Sequence, residues 1–230
     1  MNEKLQIKDE LRKLIVDTGV YMIKSGMTVG TWGNISYRDP ETNLMYLSPS
    51  GMDYMQIEPQ HVVVLDLDLN VIDGAAEPSI EKNMHAAVYR NRADVNAVVH
   101  THPVYSTVFG VIREELPAVS EDFAQIVGGS VKFCETYELP GTPELGEAAV
   151  KALEQNNAVM LPNHGALSVA PTMAMALKVS LVLEKNAEIY LYARMLGTPN
   201  LFEPEDIEAM QQFARNHYGK KNATYVAEVQ

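Results

Sequence analysis

Apolar positions near the start of the chain recur at helical spacing. Leu11, Leu14, Ile15, Thr18, Tyr21 and Met22 form one stripe, which predicts an amphipathic helix over 3–25. Ser25-Gly26 closes it, because glycine takes the left-handed C-terminal conformation without penalty. Glycines 26, 30 and 33 crowd the next stretch, GMTVGTWGNIS. They mark tight turns or close backbone approach to a ligand. A short strand and turn are expected in LMYLSPSG (44–51). Two strands around a turn near Leu69-Asn70 are expected in HVVVLDLDLNVIDG (61–74). PSIEKNMHAAVYRNR (78–92) reads as a helix with Pro and Ser at its entry.

The second half alternates in the same way. NAVVHTH (96–102) is a continuous apolar run, the pattern of a strand buried on both faces. GGSVKFCETY (128–137) reads as another strand. GTPELGEAAVKALEQN (141–156) reads as a helix with Thr142 as N-cap and Pro143 at the first helical position. NAVMLPNHGALSVA (157–170) predicts strand, turn, strand. The stretch 171–197 predicts a long, largely buried helix, and 203–219 a final amphipathic one carrying Ile207, Met210 and Ala214. Residues 220–230 have no clear pattern and are expected to be loose. Helices and strands interleave without a linker or repeat. The expected fold is a single mixed α/β domain over residues 1–230, with helices packed on a central sheet.

Composition narrows the setting. Hydrophobic residues make up 47% of 230 positions, enough for a sizeable core. No apolar run approaches the roughly 20 residues that span a bilayer, and the first residues lack a signal-peptide core. The single cysteine, Cys134, excludes an internal disulfide and agrees with a reducing compartment. A cytoplasmic protein without membrane or nucleic-acid partners is expected, since the net charge is −12 and nucleic acid demands a basic surface. An anionic substrate would need positive potential supplied locally, by a metal ion or by backbone N–H groups.

Five polar residues stand out against this apolar pattern. His100 and His102 alternate along the predicted strand, so they project together, and Pro103 ends the ladder. His164 lies in LPNHGAL, where Gly165 would permit a sharp turn. Glu81 and His85, four apart on the predicted helix, share a face. Three histidines and a carboxylate form a zinc set, catalytic when one position stays open. His85 has two readings, as a partner behind such a site or as a buried structural residue. His61 and His217 read as structural or exposed. A cupin-type site would need a glutamate soon after His102, and HTHPVYSTVFG has none.

Taken in order, GTWGNIS (30–36), LSPSGMDY (47–54), EPSIEKNMH (77–85), AVVHTHP (97–103), LPNHGAL (161–167) and the helix LVLEKNAEIYLYA (181–193) resemble the class II aldolase/adducin family, over about residues 8–219. The resemblance implies a three-layer α/β/α sandwich around a largely antiparallel mixed sheet. It also implies a homotetramer with active sites at subunit boundaries. By the same resemblance His100, His102 and His164 are zinc ligands. Glu81 is the catalytic base and approaches the metal. The implied reaction is cleavage of a ketose 1-phosphate of the L-fuculose-1-phosphate type. Its products are dihydroxyacetone phosphate and an aldehyde, formed through a metal-stabilised enediolate. Gly33-Asn34, Ser50-Gly51 and Ser79 match the phosphate pocket.

Two features depart from the aldolase pattern. Ile80 follows Ser79 where the aldolases place a second serine. AVSEDFAQIVGG (118–129) carries Glu121, Asp122 and Phe123 where they carry a proton-donating tyrosine. Asp122 is the expected substitute donor if its pKa is raised. Tyr218, in HYGKK, matches a pocket-lining tyrosine near the C-terminus. Trp32 in GTWGN is similar to the ribulose-phosphate 4-epimerase branch, which has aspartate where Glu81 stands. The family's chemistry also serves methylthioribulose-phosphate dehydration and 3-keto-acid decarboxylation. Adducin heads, as non-catalytic interaction domains, lack the metal residues.

Overall fold

The computed structural model describes residues 7–217. The chain enters through helix α1 (Asp9–Lys24), then strands β1 (Asn34–Arg38), β2 (Met45–Leu47), β3 (Val63–Leu65) and β4 (Val71–Asp73). Helix α2 (Lys82–Asn91) leads to β5 (Ala97–Thr101), α3 (Val104–Ile112), β6 (Leu116–Pro117), α4 (Glu121–Ile126) and β7 (Ser130–Val131). The rest is α5 (Pro143–Leu153), β8 (Ala158–Leu161), β9 (Gly165–Ala170), α6 (Met173–Leu196) and α7 (Pro204–Asn216). Seven strands form one sheet in the order β4-β3-β2-β1-β5-β9-β8. Each neighbouring pair is antiparallel. The expected layered α/β fold is therefore observed. No described helix is long and apolar enough to cross a membrane.

The two sheet faces explain why β5 reads as an unbroken apolar run. Val98 packs with Met84, Val88 and Leu145 from α2 and α5. Ala97 and Val99 turn the other way, onto Ile15 and Met22 of α1 and Met173 and Ala176 of α6. A third cluster lies beneath α3 and α4, where Phe109, Phe123 and Met160 meet Val179 and Leu183 of α6. Burying each such side chain fully is worth about 1.5–3 kcal/mol.

Local signals hold where capping is local. Thr142 accepts the N–H of Leu145 at 3.4 Å, and Gly26 follows α1 with φ +73°. The expected strand at 128–137 is a correction. Only Ser130–Val131 is strand, paired with β6, and Phe133 then touches the sheet edge by one parallel bridge to Met160. Strand β1 replaces what looked like turn, and α3 occupies a stretch with no predicted element. The Glu184 carboxylate, on α6, caps α3 by accepting the N–H groups of Tyr105 at 2.7 Å and Ser106 at 2.8 Å.

Two glycines matter for the site. Gly33 has φ +75°, and a Cβ there would stand 2.7 Å from the carbonyl oxygen of His100. Gly165, expected to permit a sharp turn, is not the residue with positive φ there. Asn163 is, at φ +57°. Gly165 is needed because a Cβ would collide with the carbonyl of Thr101, so β9 can lie close against β5.

Candidate active site

Strand β5 runs between β1 and β9, with His100 opposite Asn34 on one side and Leu167 on the other. His102 follows one residue past the strand end, and His164 comes from the turn joining β8 to β9. The three imidazole centroids are 4.7–5.0 Å apart. One ring nitrogen from each lies within 4.8 Å of the others. Glu81, the N-cap of α2, closes the group. Its Oε2 is 3.3 Å from His100 Nε2 and its Oε1 is 3.5 Å from His164 Nε2.

The protonation pattern suits a metal. His100 Nδ1–H donates to the Ala166 carbonyl at 3.0 Å, leaving the Nε2 lone pair facing the centre. Burial pushes His100, His102 and His164 down to about 4, so all three are neutral at pH 7. Glu81 Oε1 is buried without a hydrogen-bond partner, an arrangement that is costly unless a cation meets it. Three neutral imidazoles and one carboxylate fit a divalent ion such as zinc.

A pH dependence follows from these shifts. The folded-state values near 4 lie below the ordinary 6.5. The stability contributed by keeping these rings neutral is complete above pH 6.5. It is lost as pH falls towards 4, because the unfolded chain takes up the protons first. The melting temperature of the metal-free protein is expected to drop steadily across that window. A flat profile in a pH series of thermal melts would contradict the burial argument.

Beside the histidines opens a cleft of about 370 Å³, lined by Ser50, Gly51, Ser79, Glu81, His102 and His164 among others. Two backbone contacts lace its rim. Ser50 N–H donates to Glu77 O at 2.9 Å, and Ser79 N–H donates to Ser48 O at 3.1 Å. Among the described residues, no lysine or arginine lines the cleft. What these residues offer an anion is hydroxyls, backbone N–H groups and the N-terminal end of α2. Trp32 and Ile80, 63% and 60% exposed, add apolar surface, and Ile80 offers no hydroxyl where a second serine was expected.

The remaining expected residues fall out differently. Gly33 and Asn34 line the cleft, but both polar atoms of the Asn34 amide are already engaged. Its Nδ2 donates to Glu81 at 2.6 Å and its Oδ1 meets His85 Nε2 at 2.5 Å. Asp122 is not among the cleft residues. Partial burial opposes its ionisation, yet hydrogen bonds from Lys185 and Ser120 outweigh this and hold the carboxyl below its ordinary value. The raised pKa expected of it is therefore corrected: an ion pair with Lys185 at 2.5 Å keeps it charged. Tyr218 lies outside the described residues. The sequence reading missed the engagement of Asn34 and the exposure of Trp32. Reading β1 as a strand would have put Asn34 and Ser36 on the face of His100.

This arrangement agrees with the comparisons. Residues 13–191 match the model of the Class II Aldolase and Adducin N-terminal domain. The chain is 42% identical over 197 residues to a 5-deoxy-D-ribulose 1-phosphate aldolase of Bacillus thuringiensis serovar kurstaki, covering 86% of this chain and 92% of that one. It is 32% identical over 192 residues to the L-fuculose phosphate aldolase of Escherichia coli K12, covering 84% and 87%. A solved L-fuculose 1-phosphate aldolase superposes with a TM-score of 0.88 at 35% identity, over 91% of this chain and 98% of that one. The chain belongs to the class II aldolase/adducin family. The relatives named here are aldolases, enzymes that break carbon–carbon bonds.

Proposed function

We propose that the protein cleaves a ketose 1-phosphate to dihydroxyacetone phosphate and an aldehyde, with 5-deoxy-D-ribulose 1-phosphate the first substrate to consider. One observation carries the reading: a buried carboxylate, Glu81, sits against His100 and His164 in a cleft lined by Ser50, Gly51 and Ser79. His100, His102 and His164 would hold zinc, with Glu81 able to approach it. The ion supplies Lewis-acid polarisation of the substrate carbonyl when bound. Ser79, Ser50-Gly51 and the backbone at Gly33-Asn34 bind and orient the phosphate. The C4 hydroxyl gives its proton to a base as the C3–C4 bond breaks, its oxygen becoming the aldehyde carbonyl and the bonding pair passing to C3. Glu81 then returns a proton to C3, and removes it in the condensation direction.

Substrate preference rests on two supports. The relative at 42% identity is named for a 5-deoxy sugar phosphate. Trp32 and Ile80 give the cleft apolar surface that suits a methyl group better than a hydroxyl. The test compares kcat/KM for 5-deoxy-D-ribulose 1-phosphate and L-fuculose 1-phosphate. Cleavage of both, with 5-deoxy-D-ribulose 1-phosphate preferred because its C5 is a methyl where L-fuculose carries a hydroxyl, is expected; cleavage of neither rejects the reading. The homotetramer belongs to the same proposal, and Met195 and Leu196, 73% and 90% exposed on α6, offer apolar surface for subunit contact.

Ser79→Ala tests the phosphate pocket. Ser79 is buried at the cleft, and a hydrogen bond to a charged group is worth about 1.5–3 kcal/mol. The variant is expected to raise KM roughly tenfold or more with little change in kcat. Steady-state kinetics check this, and an unchanged KM removes Ser79 from the phosphate site.

A further inference from the structure

A line of buried polar groups runs from the sheet to Glu81. Tyr89 Oη lies 2.7 Å from Ser36 Oγ, and Ser36 Oγ lies 2.6 Å from His85 Nδ1. His85 Nε2 lies 2.5 Å from Asn34 Oδ1, and Asn34 Nδ2 lies 2.6 Å from Glu81 Oε2. Asn34 and Ser36 alternate on β1, while Glu81, His85 and Tyr89 recur at four-residue steps on α2, so two elements supply all five groups. None is more than 5% exposed. Water cannot substitute for a lost member, and each unpaired buried group would be costly.

The donors and acceptors admit one consistent order when Glu81 is ionised. A carboxylate only accepts, so Asn34 must present Nδ2 to Glu81 and turn Oδ1 away. Asn34 Oδ1 then needs a donor, which His85 supplies as Nε2–H. Burial pushes the His85 pKa down to about 3, so the ring is neutral and Nδ1 accepts from the Ser36 hydroxyl. Ser36 Oγ in turn accepts from Tyr89. Without the His85 donor the Asn34 amide could rotate and set its oxygen against the Glu81 carboxylate.

We infer that His85 is a positioning residue, which through Asn34 anchors Glu81 Oε2 and leaves Oε1 as the oxygen that moves the proton. This rests on the aldolase reading and on Glu81 as its base. Oε1 is the buried oxygen without a partner. Anchoring one oxygen sets the direction of the other, and proton transfer depends steeply on that direction.

The experiment combines kinetics with a spectroscopic readout that needs neither metal nor substrate. In the metal-free protein, nitrogen-15 shifts should show His85 as the Nε2–H tautomer with a slowly exchanging, downfield proton. His85→Leu should lower kcat about 10- to 100-fold, the usual loss when a partner behind a ligand is removed, with KM and bound metal unchanged. His85→Gln, which restores a donor towards Asn34, should recover most of the loss. Should His85→Leu fail to fold, Ser36→Ala is the smaller change and should lower kcat severalfold at constant KM. An Nδ1–H tautomer overturns the inference. So does an unchanged kcat in a folded His85→Leu or Ser36→Ala variant, or a Gln variant no better than Leu. Wild-type protein that cleaves no ketose 1-phosphate rejects the aldolase reading instead, which the tautomer measurement leaves untouched.

Discussion

Glu81→Gln is expected to bind zinc and to lose proton exchange at the substrate carbon. The three imidazoles remain, and glutamine occupies nearly the same volume, so the metal set keeps its histidine donors. What disappears is the group proposed to accept and return the proton. General acid–base catalysis contributes typically 10²- to 10⁴-fold, and kcat should fall by that order. The clean measurement is incorporation of deuterium into dihydroxyacetone phosphate from D₂O, with metal content determined on the same sample. Exchange at the wild-type rate in the variant would remove Glu81 as base. The geometry argues otherwise, because among the described residues no other carboxylate lines the cleft.

His102→Ala is expected to strip the metal and the activity together. His102 stands at the end of β5, partly accessible, with Nε2 3.0 Å from His100 Nε2. His100 is fully buried and bonded to the β9 backbone. Truncating His100 would leave a cavity and remove its bond to the Ala166 carbonyl, confusing binding with folding. His102 allows the two to be separated. Loss of a direct ligand should exceed the roughly 10- to 100-fold penalty for losing an outer partner. Metal analysis after dialysis and a melting curve of the metal-free variant check this. A variant that folds, keeps its metal and stays active would contradict the ligand assignment.

The sequence exposed what depends on short-range pattern. Strand β5 announced itself because Val98 and its neighbours are buried on opposite faces, and α5 because Thr142 and Pro143 mark its start. Alternation made the His100–His102 pair legible and the place of His164 between two apolar strands made it a candidate partner, while the family resemblance joined the three into one set. Strand β1 was not legible. Asn34, Ser36 and Arg38 are polar yet buried, and what satisfies them is distant. Arg38 donates to the carbonyls of Tyr89, Ala93 and Val95. Helix α3 was hidden for the same reason, since its cap is Glu184. Asp122 shows the limit from the other side: its neighbour Lys185 is 63 residues away, and that contact sets its charge.

The central claim is that the C3–C4 bond of a ketose 1-phosphate is broken here. The most direct measurement is the product balance from 5-deoxy-D-ribulose 1-phosphate with the metal-loaded protein, followed by nuclear magnetic resonance. The account predicts one dihydroxyacetone phosphate and one acetaldehyde for each substrate consumed, with both lost on adding a chelator. Conversion to a stereoisomer with the five-carbon chain intact would contradict it.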